Sequence, residues 1–130
     1  APPHPPKDPE LERQRIHELG MDPATGGFRQ AEADTAVRVE ESLGVELRRS
    51  DDRRVDWVDG DGRTYDAVGN FDGRHFDRQW PNLQTRIRDH LEKADLVPVD
   101  VSRFSPAQRE LVRRFIEDNQ LGPQAFLVGH

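Results

Sequence analysis

The stretch "VDWVDGDGRTYDAVG", from Val55 to Gly69, contains four aspartates, Asp56, Asp59, Asp61 and Asp66. Apart from these residues it predicts two short strands joined by a "GDG" turn, which is typical of a β-hairpin. Carboxylates are poor strand formers, yet Asp56 and Asp66 lie inside apolar runs rather than in the turn. These two residues therefore need an explanation beyond folding.

The length of the turn decides whether Asp56 and Asp66 meet. A two-residue loop would pair Asp56 with Tyr65 and send Asp66 to the other face of the hairpin. A three-residue loop, residues 60–62, places Asp56 directly opposite Asp66. Such loops commonly end on a residue in the left-handed conformation, where glycine fits best, and Gly62 occupies that position. We therefore favour the three-residue loop.

Two directly opposed carboxylates have their Cβ atoms about 5 Å apart and repel each other. A divalent cation held between them would reverse the sign of this interaction. Mg²⁺ in particular binds one or two carboxylates together with water and substrate phosphates. The pair Asp56 and Asp66 is thus our first candidate for a metal site, with Mg²⁺ or Mn²⁺ as the cofactor.

A predicted helix from Phe28 to about Leu43 offers a third acid. Taking Ala36 as the middle of its apolar face, Glu32 and Glu40 both fall within ~40° of that centre. Glutamate on an apolar face is costly unless it is paired or binds a metal. Either Glu32 or Glu40 is a candidate metal ligand, and the alternative is that both lie at the edges of a narrower face and reach solvent.

The composition fits one domain with a modest core, since the 130 residues are 33% hydrophobic and 34% charged. The absence of cysteine excludes disulfides and thiolate metal sites. No run approaches the ~18 apolar residues of a membrane-spanning helix. A net charge of −6 argues mildly against nucleic-acid binding. However, all but two of the cations are arginine, which binds phosphate well; a GC-rich genome would give the same bias.

The remaining periodicities predict the order α-β-β-β-α-β-α-β, a mixed central sheet with flanking helices, and hence an α/β fold. Residues 1–27, with five prolines among the first nine and one short charged helix, are predicted to be a linker. Residues 28–130 are predicted to form the domain. Pro81 is expected at the first position of its helix, and Pro98 is expected at a sheet edge or a bulge.

Other candidate sites are weaker. His75 lies in the predicted loop "GNFDGRHFDRQ", which faces the end of the sheet. The "DGDG" run lacks the spacing of a calcium loop and is interpreted as a turn. Neither a nucleophile elbow nor a phosphate-binding glycine loop is present.

The order and spacing of the segments "AEADTAVRVEESLG", "VDWVDGDGRTYDAV" and "NLQTRIRDHLEKADLVPVDV" resemble a known group. The chain resembles the restriction-endonuclease-like (PD-(D/E)xK) nucleases, and more closely the C-terminal toxin domains of contact-dependent growth inhibition and related polymorphic toxins. The likeness runs from about Phe28 to Val128 and rests on a pattern of moderate specificity.

This resemblance implies a metal-dependent nuclease that cleaves RNA, most often tRNA, and that a cognate immunity protein neutralises. It also implies secretion as the C-terminal part of a larger protein and delivery to the cytoplasm of a competing bacterium, which the proline-rich start fits. Asp56, Asp66 and Glu32 match the acids of the motif. The motif lysine would fall at Val68, so its role is assigned to Gln84, Arg86 or His75.

Two other interpretations stay open at this point. One is a toxin of the same fold that cleaves DNA, or another nucleotide-modifying enzyme. The other is a non-enzymatic acidic module that binds a protein, with the aspartates held by backbone groups or paired with Arg53, Arg63 or Arg86. Metal binding separates the nuclease from the binding module.

Overall fold

The computed structural model describes residues 8–22 and 25–130. Its helices are α1 (Pro9–Leu19), α2 (Gln30–Leu43), α3 (Phe76–Lys93) and α4 (Pro106–Asp118). Its strands are β1 (Leu47–Arg49), β2 (Trp57–Asp59), β3 (Thr64–Tyr65), β4 (Val68–Gly69), β5 (Val97–Asp100) and β6 (Ala125–Val128). A single 3-10 turn, Gly73–His75, leads into α3. The predicted mixed α/β class is confirmed, while the restriction-endonuclease-like assignment stays a prediction.

The strands form two three-stranded sheets rather than one predicted central sheet. The first is the antiparallel meander β1-β2-β3, and the second is the parallel sheet β4-β5-β6. A parallel bridge between Tyr65 and Leu96 connects the two sheets, because β3 lies beside the residue that precedes β5 and β4 pairs with β5 itself. The predicted third strand is therefore split at Asp66 and Ala67.

Proline explains why this strand is split. The Leu96 N–H donates to the Thr64 carbonyl at 2.9 Å, just before β5 begins. Every second residue of a parallel strand faces the same neighbour, so Pro98 is the next in line and has no N–H to donate. The prediction that Pro98 marks a sheet edge was wrong, because β5 is the middle strand. Its effect is instead to interrupt the ladder beside Asp66.

The apolar residues form two clusters, one on each side of this junction. Helices α3 and α4 pack on the parallel sheet through Leu83, Ile87 and Val112, together with Val97 and Val99. The second cluster joins α1 and α2 to the meander through residues that include Leu19, Val39, Trp57 and Tyr65. The split strand thus lies where the two clusters meet.

Helix α1 belongs to this packing, which differs from the predicted boundary at residue 27. Leu19 is buried against Trp57, and the Trp57 indole N–H donates to the Leu19 carbonyl at 2.9 Å. The end of α1 therefore contributes Leu19 to the core, and residues 1–7 and 23–24 of the predicted linker lie outside the described residues. The division into a linker and a domain stays a prediction. Helix α2 begins at Gln30, so Phe28 lies before it and is exposed.

Helix α3 also begins earlier than predicted. It starts at Phe76, so Pro81 is inside the helix rather than at its first position. Two predicted signals are confirmed: Gly44 ends α2 in the left-handed conformation, and Ser105 with Gln108 forms the capping box of α4. In the part of the chain that is described, no helix combines the length and apolarity needed to span a membrane.

Candidate active site

The hairpin has the register that opposes Asp56 and Asp66. Trp57 pairs with Tyr65, Val58 pairs with Thr64, and the Asp59 N–H donates to the Arg63 carbonyl at 3.0 Å. The loop therefore contains three residues, and Gly62 ends it with a φ of 84°. Beyond the last paired residues, Trp57 and Tyr65, the carboxyl groups of Asp56 and Asp66 lie close enough to interact directly. The favoured three-residue loop is confirmed.

Backbone groups hold both aspartates at the point where the strand is split. The Asp56 N–H donates to the Tyr65 carbonyl at 2.9 Å, and the Asp66 N–H donates to the Leu96 carbonyl at 3.1 Å. The Ala67 N–H donates to Asp56 Oδ2 at 2.9 Å. Asp66 is only 5% exposed. The two carboxyl groups therefore share one small, mostly dehydrated space.

Burial and mutual repulsion govern the protonation of this pair. Burial, reinforced by the charge of Asp66, raises the pKa of Asp56 to about 6. Burial likewise raises the pKa of Asp66, although Asp56 and Lys93 oppose the shift. Two carboxyl groups this close cannot both ionise without a compensating positive charge, and they titrate as a pair.

Helix α3 brings two further ionisable groups to Asp66. His90 Nδ1 lies 3.0 Å from Asp66 Oδ2, and Lys93 Nζ lies 3.2 Å from the same oxygen. Neither contact has the angles of a hydrogen bond, so Asp66 Oδ2 and His90 Nδ1 are buried without a hydrogen-bonding partner among the described residues. Burial, together with the Lys93 charge, lowers the pKa of His90.

Sequence reasoning missed His90 and Lys93. Lys93 was set aside because it lies at the end of a predicted helix, 25 residues after Val68, whereas the structure brings its Nζ to 3.2 Å from Asp66 Oδ2. The helical period contained a usable signal: His90 follows Leu83 by seven residues and falls about 20° from it. A histidine in the middle of an apolar stripe is as unusual as the glutamates of α2.

A cavity of about 210 Å³ opens beside the aspartates and brings Glu32 to them. Its lining includes Glu32, Thr35, Asp56, Asn70 and Arg86. Burial and the charge of Asp56 raise the pKa of Glu32, and Arg49 opposes this shift from 3.1 Å. Of the two predicted helix acids, Glu32 is the one that faces the site.

Glu40 lies elsewhere in the fold and has a structural role there. Its carboxylate accepts hydrogen bonds from Arg15 at 2.7 and 3.0 Å and from the Leu47 N–H at 2.7 Å. These contacts tie α2 to α1 and to the start of β1. The structure therefore does not bring Glu40 to the aspartate pair.

Gln84 and His75 are not beside the aspartates either. Around the axis of α3, Gln84 lies about 100° from Leu83 in one direction, and Arg86 lies about 60° from Leu83 in the other direction. Gln84 is therefore on a different side of the helix from Arg86. His75 lines a neighbouring cavity with Arg78. Of the three substitutes named for the motif lysine, only Arg86 lines the acid cavity.

The carboxylates that could hold a metal are Asp56 and Asp66. Within residues 8–22 and 25–130, no three His, Asp or Glu side chains are close enough together to form a ready metal cage. Mg²⁺ does not need one, because it is commonly held by one or two carboxylates and keeps several waters. The paired acids fit such an ion, because Asp66 Oδ2 is buried and accepts no hydrogen bond from the described residues.

The fold and this site define an α/β domain with a buried two-carboxylate centre that opens to an arginine-lined cavity. In sequence, the chain is 32% identical over 109 residues to the tRNA nuclease CdiA of Burkholderia pseudomallei. The match covers 74% of this chain and only 8% of that much longer protein. No protein-family model matches the chain.

A solved structure agrees with this relationship. The CdiA-CT toxin from Burkholderia pseudomallei E479, in complex with its cognate CdiI immunity protein, superposes with a TM-score of 0.66 at 27% identity. The match covers 77% of this chain and 99% of that one. The chain is therefore a homologue of the C-terminal toxin region of CdiA, and the predicted kinship with contact-dependent growth inhibition toxins is confirmed. Membership of the PD-(D/E)xK superfamily stays a prediction.

Proposed function

We propose that this chain is the nuclease part of a contact-dependent toxin and that it cleaves tRNA with the help of Mg²⁺ or Mn²⁺. The observation that carries the proposal is the opposed pair Asp56 and Asp66, buried together in a chain related to a protein named tRNA nuclease. Repulsion within such a pair destabilises the fold and is kept where it serves a function. Phosphodiester cleavage is the chemistry that this pair and its cationic surroundings fit best.

Asp56 and Asp66 would hold the metal, with Glu32 as the additional acid at the cavity wall. A bound Mg²⁺ supplies Lewis-acid polarisation of a phosphate oxygen and lowers the pKa of a coordinated water. The protein contributes two carboxylates from a hydrogen-bonded backbone, and the Ala67 N–H fixes Asp56 Oδ2, so little ordering is needed when the ion binds. Arg49 fixes the orientation of Glu32.

The cations of α3 take the part that sequence analysis gave to Gln84 or His75. Lys93 lies 3.2 Å from Asp66 Oδ2 and holds a positive charge at the edge of the site. Arg86 lines the acid cavity and has no carboxylate within 4 Å among the described residues. Both side chains are placed to attract the phosphate and to stabilise the charge that develops on it.

The biological setting follows from the same relatives. The solved toxin was captured with a cognate immunity protein, and the curated relative is a far longer protein. We therefore include in the proposal that a cognate immunity protein neutralises this domain. The domain would be secreted as the C-terminal part of a larger protein and delivered to the cytoplasm of a competing cell.

The test is to incubate the purified chain with total tRNA and, separately, with plasmid DNA, in Mg²⁺ and in EDTA. We expect discrete tRNA fragments in Mg²⁺ only, and none with Asp66→Ala. Arg88→Gln is the matched control, because Arg88 lies on another face of α3 and donates a hydrogen bond to Asn119 there. Cleavage that continues in EDTA or in Asp66→Ala contradicts the mechanism. Cleavage of DNA alone contradicts the substrate, and no cleavage favours a binding module.

A further inference from the structure

A second cavity adjoins the acid site and has the opposite electrostatic character. It has a volume of about 260 Å³ and lies between the end of β4 and α3. Its lining includes Gly69, Phe71, His75, Arg78, Asn82 and Arg86. Gly69 and Arg86 also line the acid cavity, so the two spaces meet. None of the described residues that line the second cavity is acidic, although the chain has a net charge of −6.

The two arginines of this cavity, Arg78 and Arg86, have charges that can bind an anionic ligand. Neither Arg78 nor Arg86 has a carboxylate within 4 Å among the residues that the structure describes. Many other arginines of this chain are committed to acids, as Arg15 is to Glu40 and Arg113 is to Glu110. Exposed arginines without an acid partner, gathered in a concave wall, are an arrangement that binds anions.

His75 increases the density of donors at the far end of the cavity. A terminal nitrogen of Arg78 lies 3.1 Å from His75 Nδ1, and Arg74 Nε lies 3.2 Å from His75 Nε2. A neutral imidazole accepts a hydrogen bond at only one of its nitrogens. Two guanidinium groups around one ring therefore retain donors that an incoming anion can use.

The polar side chains follow one side of α3 towards the aspartates. Arg78, Asn82 and Arg86 are spaced at four-residue intervals, which places them along one strip of the helix about 12 Å long. The strip begins beside His75 and ends at the acid cavity, which Arg86 lines together with Asp56. A chain of phosphates entering the acid site from this direction would pass Arg78 and then Arg86.

We propose that this second cavity binds a backbone phosphate of the RNA next to the phosphodiester that is cleaved, with Arg78 as its main contact. The inference rests on the proposed nuclease function and adds to it the path of the substrate. His75 acts in this cavity by positioning Arg78, rather than at the reacting phosphate. Arg86 lies between the two cavities and contacts the RNA in both.

The test measures binding without cleavage. A fluorescein-labelled tRNA is titrated with the full chain in EDTA, at several salt concentrations, and thermal melts check that each variant is folded. Arg78→Gln removes one charge-assisted contact, so the Kd rises about tenfold. The slope of log K against log salt falls by about one. Arg78→Glu has a larger effect in the same direction, and the control Arg88→Gln binds within about twofold of wild type.

The outcomes separate this proposal from the nuclease itself. If Arg78→Gln binds tRNA as tightly as Arg88→Gln does, the phosphate subsite is wrong even where wild type cleaves tRNA in Mg²⁺. If Arg78→Gln loses affinity and salt dependence while wild type fails to cleave, the subsite holds and the nuclease proposal fails. An equal loss with single-stranded DNA of the same length also supports a phosphate contact, since both polymers carry that group.

Discussion

Asp100 and the pair Asp56 and Asp66 have opposite environments in this domain. Asp100, which is 0% exposed, accepts hydrogen bonds from Thr35 at 2.6 Å, Arg38 at 2.7 Å and Ser102 at 2.6 and 3.0 Å. Asp56 and Asp66 instead face each other. Burial alone would raise the pKa of Asp100, but these donors lower it overall. At Asp56 and Asp66 the pKa is raised.

This difference distinguishes a buried carboxylate with a structural role from carboxylates that serve a function. Four donors around Asp100 join α2, β5 and the loop after it, and the charge is stabilised by contacts within the chain. The opposed pair has only the Ala67 N–H and the Lys93 charge to offset two carboxylates, so the pKa stays raised and a further cation or a proton stabilises the pair. Asp100 is thus expected to matter for folding, and the pair for activity. The following predictions test this contrast.

The largest effect is expected on cleavage when one member of the pair is removed. Asp66→Ala leaves a single carboxylate, so the metal and its several kcal/mol of charge stabilisation are lost and the rate falls about 10³-fold or more. The fold is retained, because a repulsive neighbour has gone. Single-turnover cleavage of tRNA and a thermal melt measure the two quantities. Unfolding of Asp66→Ala would show that the acid is structural.

The reciprocal change at Asp100 is expected to act on stability. Asp100→Asn leaves Arg38 without its counterion and disturbs the bonds from Thr35 and Ser102, which costs about 3 kcal/mol of unfolding free energy. Urea unfolding measures the loss. Asp34→Asn is a matched control, since Asp34 accepts its hydrogen bond from Gln30 on the exposed side of α2. Equal stability of both variants would remove the distinction between the two groups of acids.

Removing the charge of Lys93 tests the same contrast, because Lys93 is the positive charge nearest to the pair. Lys93→Met is expected to slow cleavage about tenfold at neutral pH and to move the pH profile upwards. The shift arises because Lys93 lowers the pKa of Asp66, and its removal makes the acids harder to ionise. Lys93→Arg should restore most of the profile. A slower enzyme with an unmoved pH profile would mean that Lys93 only packs against the site.

Local sequence signals predicted the hairpin of this site well. The glycine at position 62 fixed the loop length, and the loop length fixed the opposition of Asp56 and Asp66. The caps at Gly44 and Ser105 are equally local. Each of these features depends on the conformation of a few neighbouring residues, which is why one sequence was enough to predict them.

Features that depend on distant contacts were predicted less well. Glu32 and Glu40 are equivalent on a helical projection, and only the position of Arg15 on α1 assigns Glu40 to a structural pair. Lys93 reaches Asp66 across 27 residues of sequence because β5 returns the chain beside the split strand. Neither contact follows from spacing along one helix.

A further prediction concerns the pH dependence of stability and comes from Asp56. Its pKa is about 6 in the folded protein, above the usual range of an unfolded aspartate. The folded state therefore binds more protons between about pH 4 and pH 6, so this group contributes stability at low pH that is lost as the pH rises through 6. Asp56→Asn removes the dependence and should raise the unfolding free energy at pH 7.5 by about 2 kcal/mol.

Comparing wild type with Asp56→Asn cancels the contributions of the acids outside the pair. Chemical denaturation at pH 3.5 and pH 7.5 should show a difference between the two proteins that is small at about pH 3.5, where the carboxyl group is protonated in both the folded and the unfolded state, and that grows at pH 7.5. Adding Mg²⁺ at pH 7.5 should stabilise wild type and leave Asp56→Asn nearly unchanged, because the ion supplies the charge that the pair lacks. A constant difference at both pH values would show that the repulsion is already relieved within the chain, as it is at Asp100.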